Sequence, residues 1–342
     1  GKIVSMSLAL GPVARFRTRA LYALLESRQA WCDVLLVTRE AGEELRFWVD
    51  CFDQFNSQPI WHSPAAVRCV YSDASDTGYG GYIVEHGMHV AQGNWLPDEA
   101  VQSSTWRELV AVGRVLEAIA QKLSNLRVRW FTDNQNVVRI LQVGSAKSHI
   151  QIEALKVFKT CIQYNIRLEP EWIPREKNEL ADYISRIVDY DDWQLDPAVF
   201  AMLNALWGPY SVDRFASSYN AQLVRFNSRF ASHGTEAVDA FTVDWHGENN
   251  WCCPPPYLVP RVIRHMEACK AYGTLVVPCW ESAPFWPLLW SEGEGWAPFI
   301  ADIRSLSLSE WLVRPGRSGG QLFKGKFPNT AMLAVCLYFG GQ

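Results

Sequence analysis

The most constraining feature of the sequence is a change of hydrophobic period near residue 67. Three short β-type runs follow one another over 67–71, 79–85 and 88–95, separated by glycine-bearing turns. Such runs with short turns predict an antiparallel meander. Residues 1 to about 60 differ, because their apolar residues recur at helical spacing. A sheet-forming region is therefore expected to begin where a helical segment ends.

A long amphipathic helix is predicted after the meander, from about 104 to 123. Thr105 and Glu108 at its start have the spacing of a capping box. Beyond it the pattern predicts a strand, two helices, a strand and a closing helix, over 126–131, 135–142, 150–164, 166–173 and 179–187. The order β-β-β-α-β-α-α-β-α predicts an α/β fold with a mixed five-stranded sheet and helices packed on it.

The charge distribution limits the class of protein. The net charge of −4 over 342 residues excludes a uniformly basic nucleic-acid wrapper. Residues 67–187 hold 14 basic and 14 acidic side chains, so four metal-bound acids would leave the remainder at +4, enough to meet phosphates. The nine cysteines form no Cys-x-x-Cys pair, and no apolar run of about 20 residues is present. We expect an intracellular protein, cytoplasmic or nuclear, without a membrane span.

Four acidic residues of this middle region lie at positions where catalytic side chains are usually found. Asp73 and Asp133 end the first and fourth predicted strands, Glu108 lies in the first turn of the long helix, and Asp182 lies inside the closing helix. Taken singly, each has an ordinary role as a turn former, a cap or an exposed helix residue. If the two strands are neighbours, their ends lie about 5 Å apart. The four carboxylates would then repel one another unless cations lay between them.

Oxygen ligands of this kind favour Mg²⁺, for which Mn²⁺ can substitute. Two such ions about 4 Å apart support in-line attack of water on a phosphodiester. One ion generates hydroxide and the other stabilises the leaving 3′-oxygen. The pattern therefore predicts a two-metal site in the middle region.

Residues 67–187 resemble the ribonuclease H domain of retroelement reverse transcriptases. The motifs that carry the resemblance are YSDAS with GYGGY, WRE, FTDN and IPREKNELADYISR. It implies that Asp73, Glu108, Asp133 and Asp182 are catalytic metal ligands for two Mg²⁺ ions. The implied reaction is hydrolysis of the RNA strand of RNA–DNA hybrids during reverse transcription. The family often has a histidine before the last aspartate, and 169–180 contains none, which leaves product release unassigned.

The resemblance also suggests side chains that contact the hybrid. We expect Ser104, Asn134 and Gln135 near the ribose or the phosphates. Lys147 and Lys156 are candidates for tracking the DNA strand, and a solvated helix face is the alternative reading of both lysines. Recognition would come from duplex shape and the 2′-hydroxyl rather than from base sequence.

The flanking regions resemble other parts of DIRS-type retrotransposon polyproteins. Residues 1–62 are similar to the thumb and connection that join a polymerase to its ribonuclease H domain, which implies an upstream polymerase partner. Residues 188–208 are predicted to be a linker. Residues 209–342 resemble a phage-type adenine-N6 methyltransferase domain, with a motif at Pro255, Pro256 and Tyr257.

The methyltransferase motif departs from its active pattern. In active members a polar side chain accepts a hydrogen bond from the target amine, and an aromatic ring stacks on the flipped base. Pro254 stands at the polar position and has no acceptor, so an inactive, structural or DNA-binding domain is expected. Two alternatives stay open: S-adenosylmethionine-dependent DNA adenine methylation, and a non-catalytic nucleic-acid-binding relic.

Overall fold

The structure is a computed structural model that describes residues 2–55, 67–85, 89–188, 193–306, 312–315 and 331–340. The chain divides into two compact units. One contains Gly1–Val90 and Pro97–Arg186, and the other contains Ala91–Leu96 and Ile187–Gln342. Among the described residues, no helix combines the length and the hydropathy that a membrane crossing requires.

The chain begins with five helices, as the apolar spacing predicts. They are α1 (Lys2–Ser5), α2 (Ser7–Leu10), α3 (Val13–Phe16), α4 (Arg19–Glu26) and α5 (Arg39–Phe55). Their buried side chains form a small core around Leu10, Val13 and Trp48. The amide of Gln151 donates to the Phe16 carbonyl at 2.9 Å, and the Phe16 ring stacks on Phe158. These helices therefore pack on the same unit as the middle region.

A five-stranded mixed sheet follows and confirms the predicted fold class. Its strands are β1 (Val67–Ala74), β2 (Gly78–Ile83), β3 (Val90–Asn94), β4 (Arg127–Thr132) and β5 (Arg167–Trp172), in the order β3-β2-β1-β4-β5. β1 is antiparallel to β2 and parallel to β4, and β4 is parallel to β5. Because β1 and β4 are parallel neighbours, their carboxyl ends reach the same edge of the sheet.

Helices cover this sheet. They are α6 (Pro97–Ala100), α7 (Ser104–Ile119), α8 (Gln135–Val143), α9 (Ser148–Gln163) and α10 (Glu179–Ser185). The apolar face of α7 is buried, as the helical spacing of its apolar residues predicts. The predicted Thr105–Glu108 capping box is wrong. The helix begins at Ser104 and its N-cap is Ser103, two residues before Thr105. The Ser103 hydroxyl accepts from the Trp106 N–H, and Glu108 lies in the interior.

The second unit contains its own five-stranded sheet. The strands of this sheet are β7 (Val212–Asp213), β10 (Asn249–Cys252), β11 (Tyr272–Pro278), β14 (Ile300–Leu306) and β16 (Met332–Tyr338), in the order β14-β16-β11-β10-β7. β7, β10 and β11 are parallel, and β16 runs against β11 and β14. The helix α12 (Val259–Ala268) packs its buried face, including Val262 and Met266, into the core.

Shorter elements complete the second unit. They are β6 (Trp193–Leu195), α11 (Pro197–Trp207), β8 (Asn227–Ser228), β9 (Ala237–Val238), α13 (Trp286–Leu289), β12 (Trp290–Ser291), β13 (Gly295–Trp296) and β15 (Val313–Pro315). β6 and α11 lie in the stretch predicted to be a linker. Trp193, Leu195 and Leu203 are buried in an apolar cluster, so this stretch is ordered by core packing.

Candidate metal centre

Asp73 occupies the carboxyl end of β1 and is 4% exposed. Its Oδ2 accepts a hydrogen bond from the Ser185 hydroxyl at 2.9 Å, and its Oδ1 accepts one from the Asn178 amide at 3.4 Å. Burial and, to a smaller extent, the charges of Asp133 and Asp182 raise the pKa of Asp73 to about 6. Hydrogen bonds therefore hold the carboxyl of Asp73 in place, while its surroundings disfavour the ionised form.

Glu108 and Asp133 reach the same point from α7 and from the end of β4. Ligand oxygens of Asp73, Glu108 and Asp133 lie within 4.8 Å of one another, and no other group of three such ligands occurs among the described residues. Burial, then the charges of Asp73 and Asp133, raise the pKa of Glu108 well above its usual value. Burial also raises the pKa of Asp133, which is half-buried, while Arg175 lowers it. The parallel pairing of β1 with β4 brings these acids together.

This group fits a hard divalent cation. Glu108 Oε2 is buried and has no hydrogen-bond partner within the described part of the chain. A buried oxygen without a partner is costly, and carboxylates raised in pKa by their neighbours gain most from a cation between them. An all-oxygen donor set suits Mg²⁺ or Mn²⁺.

Asp182, the fourth predicted ligand, is not part of the three-carboxylate group. Its carboxylate accepts hydrogen bonds from Arg186 at 2.8 Å and from Arg175 at 3.1 Å. These bonds, those of Arg186 first, hold the pKa of Asp182 below its usual value. Asp182 lies close enough for its charge to raise the pKa of both Asp73 and Asp133. The fourth acid is therefore nearby and neutralised by arginines.

Two side chains that sequence reasoning gave no role support the centre. Asn178, 1% exposed, donates to the Ser72 carbonyl at 3.1 Å as well as to Asp73. Ser185 is fully buried, and its carbonyl accepts from the Ser75 hydroxyl at 2.7 Å. Asn178 is the N-cap of α10 and Ser185 is its last residue, four residues before and three after Asp182, which is the signal that the sequence offered. They hold the helix that carries Asp182 against the strand that carries Asp73.

A glycine makes this close packing of α10 possible. Gly80 lies opposite Asp73 in the β1–β2 pair, and a Cβ there would come within 2.6 Å of the Ser185 nitrogen. That distance is shorter than any normal contact with backbone. The GYGGY motif therefore brings α10 against the sheet.

The predicted substrate-contacting residues divide between two places. Asn134 and Gln135 directly follow Asp133, where the Asn134 side chain caps α8 by accepting from two backbone N–H groups. Ser104 is the first residue of α7. Lys147 precedes α9, and Lys156 on α9 pairs with Glu153 at 2.9 Å beside a cavity of about 210 Å³. The lysines therefore lie on or next to α9, which carries none of the three clustered acids.

The segment predicted from the sequence to be a methyltransferase-like motif follows β10 in the second unit. Pro255 and Pro256 lead into α12, and Tyr257 is 62% exposed. Cys252, which precedes them, is buried, and burial raises the pKa of its thiol. No acceptor side chain stands at Pro254, as the sequence indicates.

Comparisons with known proteins give partial similarity to solved structures. No family model matches the chain, and no curated protein matches it. The structure is similar to RNase H1 from the halophilic archaeon Halobacterium salinarum NRC-1, with 17% identity over 35% of this chain and 94% of that chain and a TM-score of 0.29. It is similar to the N-terminal RNase H domain of a Mycobacterium tuberculosis protein, at 16% identity, 35% and 91% coverage and a TM-score of 0.29. It is also similar to LC11-RNase H1 in complex with an RNA/DNA hybrid, at 22% identity, 34% and 92% coverage and a TM-score of 0.27.

Proposed function

We propose that residues 67–187 form a ribonuclease H-type nuclease that hydrolyses the RNA strand of RNA–DNA hybrids in a Mg²⁺-dependent reaction. One observation carries the proposal. Two buried carboxylates, on β1 and α7, and a half-buried one at the end of β4 converge, and one oxygen of Glu108 has no partner among the described residues. Metal-binding carboxylates at the carboxyl ends of parallel strands suit phosphodiester hydrolysis. Two ions, with Asp182 as the fourth ligand, complete the proposal.

Each residue has a distinct part in this reaction. Divalent cations bound here would activate a water molecule and stabilise the charge that develops on the leaving oxygen. Asp73 and Asp133 provide carboxylates on two adjacent strands, so their spacing is set by the sheet. Glu108 approaches from the helix, and its burial keeps bulk water from competing for its oxygens. Ser185 and Asn178 fix the orientation of Asp73.

The substrate and its context are further proposals. Ser104, Asn134 and Gln135 lie near the beginnings of α7 and α8, where helix N-termini and polar side chains favour phosphate and ribose. The sequence motifs support a place in a retroelement reverse transcriptase, downstream of a polymerase, with residues 1–62 as thumb and connection. We therefore expect 5′-phosphate and 3′-hydroxyl products from the RNA strand.

Cleavage of an end-labelled RNA–DNA hybrid by the full chain tests this proposal. We expect cuts in the RNA strand with Mg²⁺ or Mn²⁺ and none with Ca²⁺ or EDTA. Asp133→Asn should abolish them, whereas the matched control Asp98→Asn, on an exposed acid, should cut like the parent chain. Hybrid binding without cleavage in Mg²⁺ and Mn²⁺ would contradict the proposal and favour a nucleic-acid-binding relic.

For residues 209–342 we propose a methyltransferase-like domain without methyl transfer. The Tyr257 side chain is 62% exposed, but Pro254 offers no acceptor for a target amine. Tritium transfer from labelled S-adenosylmethionine to adenine-containing DNA should stay at background. Transfer that disappears in Tyr257→Ala would overturn this and establish adenine methylation as a second activity.

A further inference from the structure

The turn between β1 and β2 links three elements of the metal centre through one residue, Ser75. The Ser75 hydroxyl donates to the Ser185 carbonyl of α10 at 2.7 Å. The Ser75 carbonyl accepts a hydrogen bond from Nη1 of Arg107, on α7, at 2.8 Å. Asp73 lies two residues earlier, on β1. The strand and the two helices that surround the carboxylates are therefore tied together at this turn.

Two consecutive residues of α7 bond to the chain at the end of β1. The Glu108 carboxylate accepts a hydrogen bond from the Ala74 backbone N–H. Arg107, the preceding residue, donates to the Ser75 carbonyl and, at 2.6 Å, to the Asp76 carboxylate. A shift of α7 along the turn would break both sets of bonds. The bonds of Arg107 therefore limit how far Glu108 can move from the end of β1.

Arg107 is an unfavourable choice of residue for stability alone. It lies in the first turn of α7, where the helix dipole disfavours a cation. Its side chain is 13% exposed, and its Nε is buried without a hydrogen-bond partner among the described residues. A buried donor without a partner is costly, and an apolar side chain of similar size avoids that cost. The arginine is therefore better explained by the geometry that it gives the site.

We propose that Arg107 is a positioning residue that holds Glu108 in place for binding of the divalent cation. This inference rests on the proposed nuclease function. The bond to the Ser75 carbonyl carries the role, because that carbonyl belongs to the backbone directly after β1. The Asp76 carboxylate is 94% exposed, so its ion pair with Arg107 adds little. Arg107 acts through Glu108 and provides no ligand of its own.

The test compares Arg107→Met with the matched control Arg114→Met, which changes a second arginine of α7 that pairs with Glu99 instead of the turn. Mn²⁺ binding to the full chain without nucleic acid is followed by electron paramagnetic resonance of the free ion. We expect Arg107→Met to weaken Mn²⁺ binding roughly 10- to 100-fold and Arg114→Met to leave it within about twofold. The two variants should melt at similar temperatures in EDTA, because each replaces one ion-paired arginine of the same helix.

Two further variants separate the two bonds of Arg107. Arg107→Lys should recover part of the Mn²⁺ affinity, because an ammonium can still donate to the Ser75 carbonyl but lacks the planar fork. Asp76→Asn should stay within about threefold of the parent affinity, because it weakens only the exposed ion pair.

Cleavage of an RNA–DNA hybrid gives an independent measure of the same role. In single turnovers, Arg107→Met should cut slowly at low Mn²⁺ and approach the parent rate at saturating Mn²⁺, since excess cation compensates for a loosely held ligand. Its affinity for the hybrid in Ca²⁺ should equal that of the parent.

The outcomes separate this inference from the proposed function. A parent chain that binds Mn²⁺ but does not cleave would remove the nuclease proposal, while the Mn²⁺ affinities would still decide the role of Arg107. Equal Mn²⁺ affinity in Arg107→Met and Arg114→Met, or slow cleavage that persists at saturating Mn²⁺, would overturn only that role. A lower melting temperature in Arg107→Met with weaker binding of both Mn²⁺ and hybrid would also overturn it, because that is the signature of a structural residue.

Discussion

Asp73 and Asp213 occupy corresponding places in two different sheets. Each ends a strand that pairs in parallel with its neighbour, each is almost fully buried, and burial raises the pKa of each to about 6. Their surroundings differ. Asp213 accepts hydrogen bonds from the backbone N–H groups of Phe215 and Gln222. Among the described residues, no other carboxylate contributes to the rise in its pKa.

Asp73 instead meets carboxylates from other elements. Asp133 and Glu108 converge on it, and the bonds it accepts come from side chains of the α10 region rather than from its own loop. A buried acid at a strand end is therefore not sufficient for a metal centre. The loop after β7 satisfies its aspartate through backbone N–H groups, whereas Asp73 lies in a cluster of carboxylates that fits a divalent cation.

The largest expected effect comes from neutralising each aspartate in turn. Asp73→Asn should reduce hybrid cleavage by roughly 1000-fold or more, because it removes a ligand charge from a preorganised site. Asp213→Asn should leave the cleavage rate within about twofold of the parent, since Asp213 belongs to a different unit. Initial rates on a labelled hybrid measure both. Equal loss of activity in the two variants would break the comparison.

The second effect concerns pH and the free energy of unfolding without divalent cations. Both aspartates have a folded-state pKa near 6, above the ordinary value of 3.8. The stability that protonation provides is therefore complete below pH 4 and is lost as the pH rises through 6. Each carboxyl accounts for up to about 3 kcal/mol of that loss.

Urea unfolding in EDTA at pH 4 to 7 measures this decline. Asp213→Asn should remove one part of it, and excess Mg²⁺ should remove the part that comes from Asp73 and its neighbours Glu108 and Asp133, by favouring their ionised forms. If stability instead rises with pH over this range in EDTA, the carboxyls are not held in the protonated form and the comparison loses its electrostatic basis.

A smaller effect is expected from the hydroxyl that orients Asp73. Ser185→Ala removes the bond to Oδ2 and should weaken Mg²⁺ binding or cleavage by roughly 10- to 100-fold. Ser228→Ala, at a buried and hydrogen-bonded serine of the second unit, is the matched control. Each should cost about 1 kcal/mol of stability, so melting curves should be similar while cleavage differs. Cleavage that falls equally in both would mean that stability alone is being measured.

Local patterns predicted much of the first unit because they depend on neighbours in sequence. The β-runs, the apolar face of α7 and the order of the elements follow from the recurrence of apolar residues at periods of two and 3.6 residues. The N-cap residue of α7 does not follow from such a period. Ser103, Ser104 and Thr105 are adjacent and each has a hydroxyl that can cap a helix, so the backbone geometry of the first turn decides between them. The sequence predicts a connector at 193–207, although this segment contains a short strand and a helix. Both elements bury their apolar faces against parts of the chain that are distant in sequence, and no local pattern shows such contacts.

The sequence by itself determined which acids could form a centre, since Asp73, Glu108 and Asp133 stand at predicted element ends. It also determined the mixed sheet, through the order of strands and helices. Only the tertiary structure decided that three acids converge while Asp182 lies between Arg175 and Arg186. Partner choice among long charged side chains depends on distances of a few ångströms between separate elements. Tertiary packing sets those distances, and no local pattern encodes them.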